Sequence, residues 1–359
     1  MTRICLNMIV KNESPVIERC LASVKPWIGH WVIVDTGSTD GTQELVRKAM
    51  AGVPGELHER PWRNFGHNRN EALDLARAHG DYVLFIDADE QLQVPPDFTW
   101  PQQLGQGCMF LCHLNDWTYW RNALVSTTLP WRWEGVLHEY LTTDTPHHWV
   151  NLPGPEIMVS RDGARARDPK TYLKDIEVLQ QALQEHPGNT RYSFYLAQSM
   201  RDAGLWQASI DAYAARMQLG GWDEEVWYSA LQIAVLKIQT LAPAHEVQQA
   251  FLQSFEMRPT RAEPLYELSF YLRRAGFPAQ AYLYALRAAA MPKPDDLLFV
   301  DAAVYEWKAL DELGSTAWHA KAMEDGRRAC LQLLAENRFA PQHRERIEEN
   351  LRVYTSNTG

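Results

Sequence analysis

The stretch Val83-Leu84-Phe85-Ile86-Asp87-Ala88-Asp89-Glu90 passes from an unbroken apolar run into two aspartates spaced i, i+2. The apolar run predicts a buried strand. Side chains alternate along a strand, so Asp87 and Asp89 leave its end on one side and Ala88 on the other. Two like charges at the mouth of a buried sheet repel each other unless a cation sits between them. Ligation by a few carboxylates, completed by phosphate and water, suits Mg2+ or Mn2+. The expectation is a metal site that holds a diphosphate. A helix cap or solvated turn is the competing reading of an Asp-x-Asp taken alone.

The sequence upstream supports the metal reading. Ile4 to Val10 reads as a first strand, followed by Ser14-Pro15 with the chemistry of a helix start. Trp31 to Val34 is a second strand ending at Asp35. After it, Thr36-Gly37-Ser38-Thr39-Asp40-Gly41-Thr42-Gln43 combines a glycine turn with capping-box spacing between Asp40 and Gln43. A third strand near Glu56 to Arg60 and a helix from about Asn68 to His79 precede the strand ending at Asp87. Strands alternating with helices argue for a mostly parallel sheet, which binds ligands at the carboxyl ends of its strands. Asp35, Asp87 and Asp89 all fall at such ends. Cys108 to Leu114 and Thr118 to Val125 read as further strands, in a section rich in tryptophan (Trp117, Trp120, Trp131, Trp133). These indoles are either buried core or a platform for a sugar.

From Asp168-Pro169 onward the pattern is helical, with Asp168 as a candidate N-cap and Leu173, Ile176, Leu179 and Leu183 on one face. Ala197, Gly204, Ser209 and Tyr213 recur with identical spacing as Ser269, Gly276, Ala281 and Ala285. A worn copy between them carries Val235, Val247, Phe251 and Pro259. Small residues at helix crossings and a closing proline are tetratricopeptide features, and a non-repeating bundle is the alternative. The expected domains are therefore 1–167, an α/β domain, and 168–359, an all-α repeat domain.

The bulk properties narrow the class. A chain of 359 residues is long enough for two domains, and its net charge of −10 argues against coating nucleic acid. The five cysteines are odd in number and lack finger-like spacing; Cys108 and Cys112 read as core. The start reads as a strand, with no signal peptide and no bilayer-spanning segment, so the expected setting is reducing and cytoplasmic. His30, His67, His147 and His148 read as structural or exposed. A GxGxxG fingerprint and a P-loop are both missing.

Five segments together resemble family 2 glycosyltransferases of the GT-A fold, in the bacterial and phage group with a C-terminal tetratricopeptide-like domain. They are Leu6 to Glu13, Val34 to Thr42, Asn64 to Asn70, Ile86 to Glu90 and Gly135 to Glu139. Arg258 to Tyr266 is similar to the repeat domain of the same group. The resemblance implies a metal-dependent inverting transferase using a nucleotide diphosphate sugar, most simply a uridine one. Val10, Asn12, Glu13, Asp35, Ser38, Arg69, Asp87 and Ala88 would bind the nucleotide, with Asp35 accepting the uracil N3–H. Arg69 would reach the nucleotide or bridge the aspartates. Asp87, Asp89 and His138 would hold Mn2+ or Mg2+. Glu139, with Glu134 as its rival, would be the general base. The acceptor would be a glycan or peptide side chain, engaged through the repeats. Two other readings are an interaction scaffold with an inactive transferase domain and a sugar-1-phosphate nucleotidyltransferase. The latter normally carries a glycine-rich basic loop where Lys11-Asn12-Glu13-Ser14 stands here.

Overall fold

The Asp35 and Asp87 strands lie on either side of the first strand, in parallel, so their carboxyl ends share one edge of a sheet. The computed structural model describes residues 2–114 and 117–356; the side chain of Trp117 lies outside them. The chain forms two compact units, Met1–Ala182 and Leu183–Gly359.

In the first unit the strands are β1 (Ile4–Val10), β2 (His30–Asp35), β3 (Gly55–Glu59), β4 (Tyr82–Phe85), β5 (Glu90–Gln93), β6 (Gly107–Leu114), β7 (Trp117–Ser126), β8 (Arg132–Glu134), β9 (Tyr140–Thr142) and β10 (Trp149–Val159). The helices are α1 (Ile17–Val24), α2 (Thr42–Ala49), α3 (Phe65–Ala76), the single turn α4 (Ala164–Arg167) and α5 (Thr171–Glu185), in which the division between the units falls. The main sheet has the order β3-β2-β1-β4-β7-β6-β10-β5, and β8 pairs with β9 apart from it. Strands β3, β2, β1 and β4 are parallel, as is β6 with β10; β7 and β5 run against their neighbours.

Alternation along the strands builds two cores. Leu6, Met8, Val10 and Ile33 pack with Ile17, Leu21 and Val46 of α1 and α2. Cys5, Val32, Val83 and Phe85 pack on the other face against Leu73 and Ala76 of α3. All five cysteines are buried and free. No helix among the described residues is long and apolar enough to cross a membrane.

Three helix starts differ from the sequence expectation. α1 begins at Ile17 without a side-chain cap: its N-cap is Val16, which has no polar side chain, and the Ser14 N–H donates to Asp40 of the neighbouring loop. Gln43 does not reach back to Asp40; its amide goes to the buried Asp35, the more demanding acceptor. Pro169 precedes α5 instead of opening it, and Asp168 ties the turn through the Lys170 N–H.

The second unit is built of helices throughout. Its elements are α6 (Thr190–Asp202), α7 (Trp206–Gln218), α8 (Asp223–Gln239), α9 (Ala244–Met257), α10 (Glu263–Arg274), α11 (Pro278–Ala289), α12 (Ala309–Thr316), α13 (Met323–Glu336) and α14 (Arg344–Ser356). The predicted repeat residues sit at the helix crossings. The Ser209 hydroxyl donates to the Ala197 carbonyl at 2.7 Å, and Ser269 to Ala281 at 2.8 Å, the same bond with donor and acceptor helices exchanged.

Four helix pairs turn through one device. The residues Gly204, Leu241, Gly276 and Lys321 have left-handed φ of 76°, 55°, 89° and 55°. In each case the following N–H returns to the carbonyl five residues back, at 2.8–2.9 Å. This register places the small crossing residue of the worn pair at Ala234, fully buried, rather than at Val235. It also reveals a copy that sequence reading missed, Gly314, Lys321, Gly326 and Cys330, whose spacing equals that of the first copy.

An L-residue in this backbone region carries strain that glycine does not. Leu241 is also 89% exposed, so its side chain contributes little packing. Leu241→Gly is expected to stabilise the protein by about 1 kcal/mol, a rise of roughly 2–4 °C in melting temperature. Chemical denaturation of the two proteins side by side checks it.

Arg258 to Tyr266 supplies the main clamp of this unit. Arg261 is fully buried over the Trp227 ring at 4.0 Å. It donates to Glu263 through two nitrogens (3.0 and 2.8 Å) and to the carbonyls of Leu298 and Phe299. The motif is therefore internal.

Candidate nucleotide and metal site

Asp35 closes β2 fully buried. Its Oδ1 accepts the N–H groups of Gly37 and Ser38 at 2.9 and 2.8 Å and the Gln43 amide at 3.1 Å. Its Oδ2 is buried with no hydrogen-bond partner. Gly37, at φ 108°, lets the chain fold back over the carboxylate. Leaving a buried carboxylate oxygen unsatisfied is costly, and an N–H donor from a ligand would repay that cost.

The loop after β1 is moulded onto this turn. Val10 pairs with Asp35 across the strands, and its carbonyl accepts the Thr36 N–H at 2.9 Å. Asn12, at φ 57°, donates its N–H to Ser38 Oγ (2.8 Å) and accepts the Thr39 N–H (2.9 Å). Glu13 donates its backbone N–H to Thr42 Oγ1 at 2.8 Å. Val10, Asn12, Ser38 and Asp35 are thus one hydrogen-bonded unit.

Strand β4 delivers the carboxylates. Arg69, from α3, donates to Asp87 Oδ1 at 2.8 Å and to Glu139 Oε1 at 2.6 Å. Arg121, from β7, holds Glu90 through two bonds of 2.6 Å and lies 3.8 Å from Asp87. Burial pushes the Asp87 carboxyl up, but the two guanidiniums outweigh it and hold it below its usual range. Asp89 behaves in the opposite way. Burial and the charge of Asp87 raise it, and its Oδ2 accepts a long 3.3 Å bond from the Gly163 N–H. Glu13 stands beside it, accepting the Ala164 N–H at 2.9 Å, and burial pushes its carboxyl up to about 7. Ala88, between the aspartates, points into the core.

The arginines therefore neutralise Asp87, while among the described residues no ion pair reaches the Asp89 or Glu13 carboxylate, on which Arg19 and Arg167 act only from further off. This donor set of oxygens only, under-compensated in charge, fits Mg2+ or Mn2+. Asp87 and Asp89 would contribute to it. Among the described residues, no cluster of three donor groups within 4.8 Å includes Asp87, Asp89 or His138. The protein can thus offer a cation few ligands here, and phosphate oxygens and water would complete the shell.

Helix α3 also fixes the Trp133–Glu139 loop. The Asn70 side chain bonds both the N–H and the carbonyl of Trp133, at 2.7 and 2.8 Å. Arg69 lies over the Trp133 ring at 4.9 Å. A Cβ on Gly66 would meet the Gly135 carbonyl at 2.3 Å, so helix and loop touch backbone to backbone. Glu139 is thereby presented beside Asp87 with only 10% of its side chain exposed. Glu134 is 52% exposed and 3.8 Å from Arg132, away from this network. His138 lies exposed in the loop at φ 51°. Among the tryptophans, Trp131 is core and Trp120 is exposed on β7.

Sequence reasoning missed Arg121, Glu90 as its partner, and the Gly163-Ala164 turn. Arg121 reaches the site on β7, a strand distant in sequence, and the turn through a loop after β10; Glu90 closes the Ile86–Glu90 segment, but nothing local to it names its partner.

Residues 5–104 match the model of glycosyl transferase family 2. A TPR repeat-containing protein of Synechococcus elongatus is 40% identical over 92 residues, covering 26% of this chain and 22% of that protein. The prophage-derived glycosyltransferase SunS of Bacillus subtilis is 34% identical over 87 residues (24% of this chain, 20% of SunS). The lipopolysaccharide core biosynthesis glycosyltransferase LpsC of Rhizobium meliloti is 36% identical over 86 residues (24% and 31%). The chain thus spans between about a fifth and a third of the length of these relatives. The matched segment holds β1 to β4 and the aspartates after β4. Residues 5–104 of this chain thus carry a glycosyl transferase family 2 domain match, and the part after α5 is built of helix pairs.

Proposed function

We propose that this protein transfers a sugar from a uridine diphosphate sugar to a nucleophilic acceptor, assisted by Mn2+ or Mg2+. The observation that carries the proposal is the gathering of Asp35, Asp87 and Asp89 at the carboxyl ends of β2 and β4, on either side of β1. Two interstrand spacings, about 10 Å, separate the uracil acceptor from the cation ligands. A nucleoside and its diphosphate would lie across that gap, over Val10, Asn12 and Ser38.

In this reading the free oxygen of Asp35 accepts the uracil N3–H. Asp87 and Asp89 would hold the cation, which would offset charge on the departing diphosphate. Arg69 keeps Asp87 ionised and orients Glu139. Glu139 takes the acceptor proton as the acceptor attacks the anomeric carbon; Glu134 is the less favoured base because it lies outside the network. Inversion follows from the family resemblance. His138 would approach the cation or the diphosphate once the donor is seated. The acceptor is a glycan or peptide side chain, and the helix pairs supply its binding surface.

Isothermal titration of uridine diphosphate with and without Mn2+ tests the donor assignment. Asp35→Ala is expected to weaken uridine nucleotide binding by about 1–3 kcal/mol, the cost of a charge-assisted hydrogen bond. Tighter binding of guanosine diphosphate than of uridine diphosphate by the unaltered protein would refute the base assignment.

A further inference from the structure

At the opposite end of β2 from Asp35, histidines gather around one carboxylate. His30 begins β2, Glu56 and His58 lie on the edge strand β3, and His79 ends the 3-10 turn after α3. Val32 pairs with Glu56 and Val34 with His58, so both β3 side chains share the face on which α3 packs. His79 is brought in on that same face.

The ligand atoms of His30, Glu56 and His79 all lie within 4.8 Å of one another. The His30 and His79 rings stack at 4.0 Å with an interplanar angle of 1°. His79 Nε2 is 3.6 Å from Glu56 Oε1, and His58 Nε2 is 2.7 Å from Glu56 Oε2. The decisive feature is His30 Nε2, which is buried and has no hydrogen-bond partner. A packed histidine of purely structural use would have both ring nitrogens satisfied or hydrated.

We propose that His30, Glu56 and His79 form a second metal site, for a borderline transition-metal ion such as Zn2+, with His58 as fourth ligand or as the partner orienting Glu56. Imidazole nitrogens with one carboxylate oxygen select Zn2+ or Co2+ over Mg2+, whose preference is for oxygen alone. In a tetrahedral site with bonds of 2.0–2.2 Å the ligand atoms stand about 3.3–3.6 Å apart, so binding would turn the His30 and His79 rings out of their parallel stack to bring both nitrogens onto one ion. The side chains of Glu56, His58 and His79 are 42%, 24% and 29% exposed, which gives an ion a path in. The site is about 17 Å from Asp35, five residues along the strand, and is independent of the sugar-nucleotide reading. Its role is structural, because it ties the unpaired edge strand β3 to the start of β2 and to the turn that feeds β4.

The test uses the full chain without a histidine tag, stripped by chelation and titrated calorimetrically with Zn2+, Co2+ and Mg2+. Expected are Zn2+ binding that raises the melting temperature, and Co2+ visible bands of tetrahedral intensity. His79→Ala and Glu56→Gln should each weaken Zn2+ binding by about 100-fold or more, and His58→Ala by about 10–100-fold. Asp89→Asn should leave the Co2+ spectrum unchanged. Glu56→Gln is nearly isosteric and half-exposed, so it keeps the test valid if a histidine variant fails to fold. Absence of Zn2+ binding by the unaltered protein would overturn the proposal, as would Zn2+ affinity unaffected by Glu56→Gln in a folded variant.

Discussion

Asp89→Asn is expected to lower turnover of the sugar nucleotide by about 100- to 1000-fold and to remove the Mn2+ dependence of donor binding. The fold should be unharmed. An asparagine oxygen can still accept the Gly163 N–H, and the substitution removes a carboxylate that burial and Asp87 hold above its usual pKa. The same electrostatics set a pH dependence. Glu13, raised to about 7 by burial, is partly protonated in the free protein near and below neutrality, and burial and the charge of Asp87 raise Asp89 in the same direction. A cation must displace those protons, so Mn2+-assisted donor affinity should fall as pH drops from 8 towards 6. In Glu13→Gln the fall should be shallower, with its remainder due to Asp89. Calorimetric titrations at three pH values in the unaltered protein and in Glu13→Gln check this. Unchanged Mn2+-dependent affinity in a folded Asp89→Asn protein would remove the cation from this site.

Arg69→Ala is the second large effect, and it should act on stability and chemistry together. The guanidinium bonds Asp87 and Glu139 and rests on the Trp133 ring. Its loss leaves two carboxylates facing each other with only the more distant Arg121 to compensate. Breaking a fully buried pair costs about 3–5 kcal/mol, and the 44% exposure of Asp87 reduces that to about 2–3 kcal/mol. The melting temperature should fall by about 5–10 °C. Turnover should fall further than occupancy explains, since Glu139 loses its orientation. Arg69→Lys should recover only part of either loss, because an ammonium cannot present the planar fork that bridges both partners. Donor affinity and single-turnover rates measured at 15 °C, where both variants are folded, separate the two contributions.

The sequence made the donor side of the site legible because its geometry is local. Asp35, Asp87 and Asp89 follow apolar runs directly, and strand alternation fixes where such residues emerge. Arg69 belongs to a motif of its own. The counter-charges were not legible. Arg121 reaches Glu90 only because β7 docks antiparallel on β4, and the Gly163-Ala164 turn meets Asp89 and Glu13 only after β10 has crossed the sheet. His30 illustrates the limit most clearly. Read alone it is one more half-buried histidine, and its relation to Glu56 and His79 depends on the β2–β3 register and on the length of α3. In the second unit, the identical spacing of Gly314, Lys321, Gly326 and Cys330 was present in the sequence all along. It was masked because lysine occupies the turn position where glycine was the expected marker.

Gly66 and Gly135 meet with no side chain between them. A joint of bare backbone has no rotamers to absorb displacement, so α3 and the Trp133–Glu139 loop must move as one piece. Arg69 and Glu139 then keep their separation. In the proposed reaction that fixed distance would set how proton removal is matched to departure of the leaving group. A methyl group added at position 66 would have to push the Gly135 carbonyl away, so it is expected to change that distance and to cost stability together.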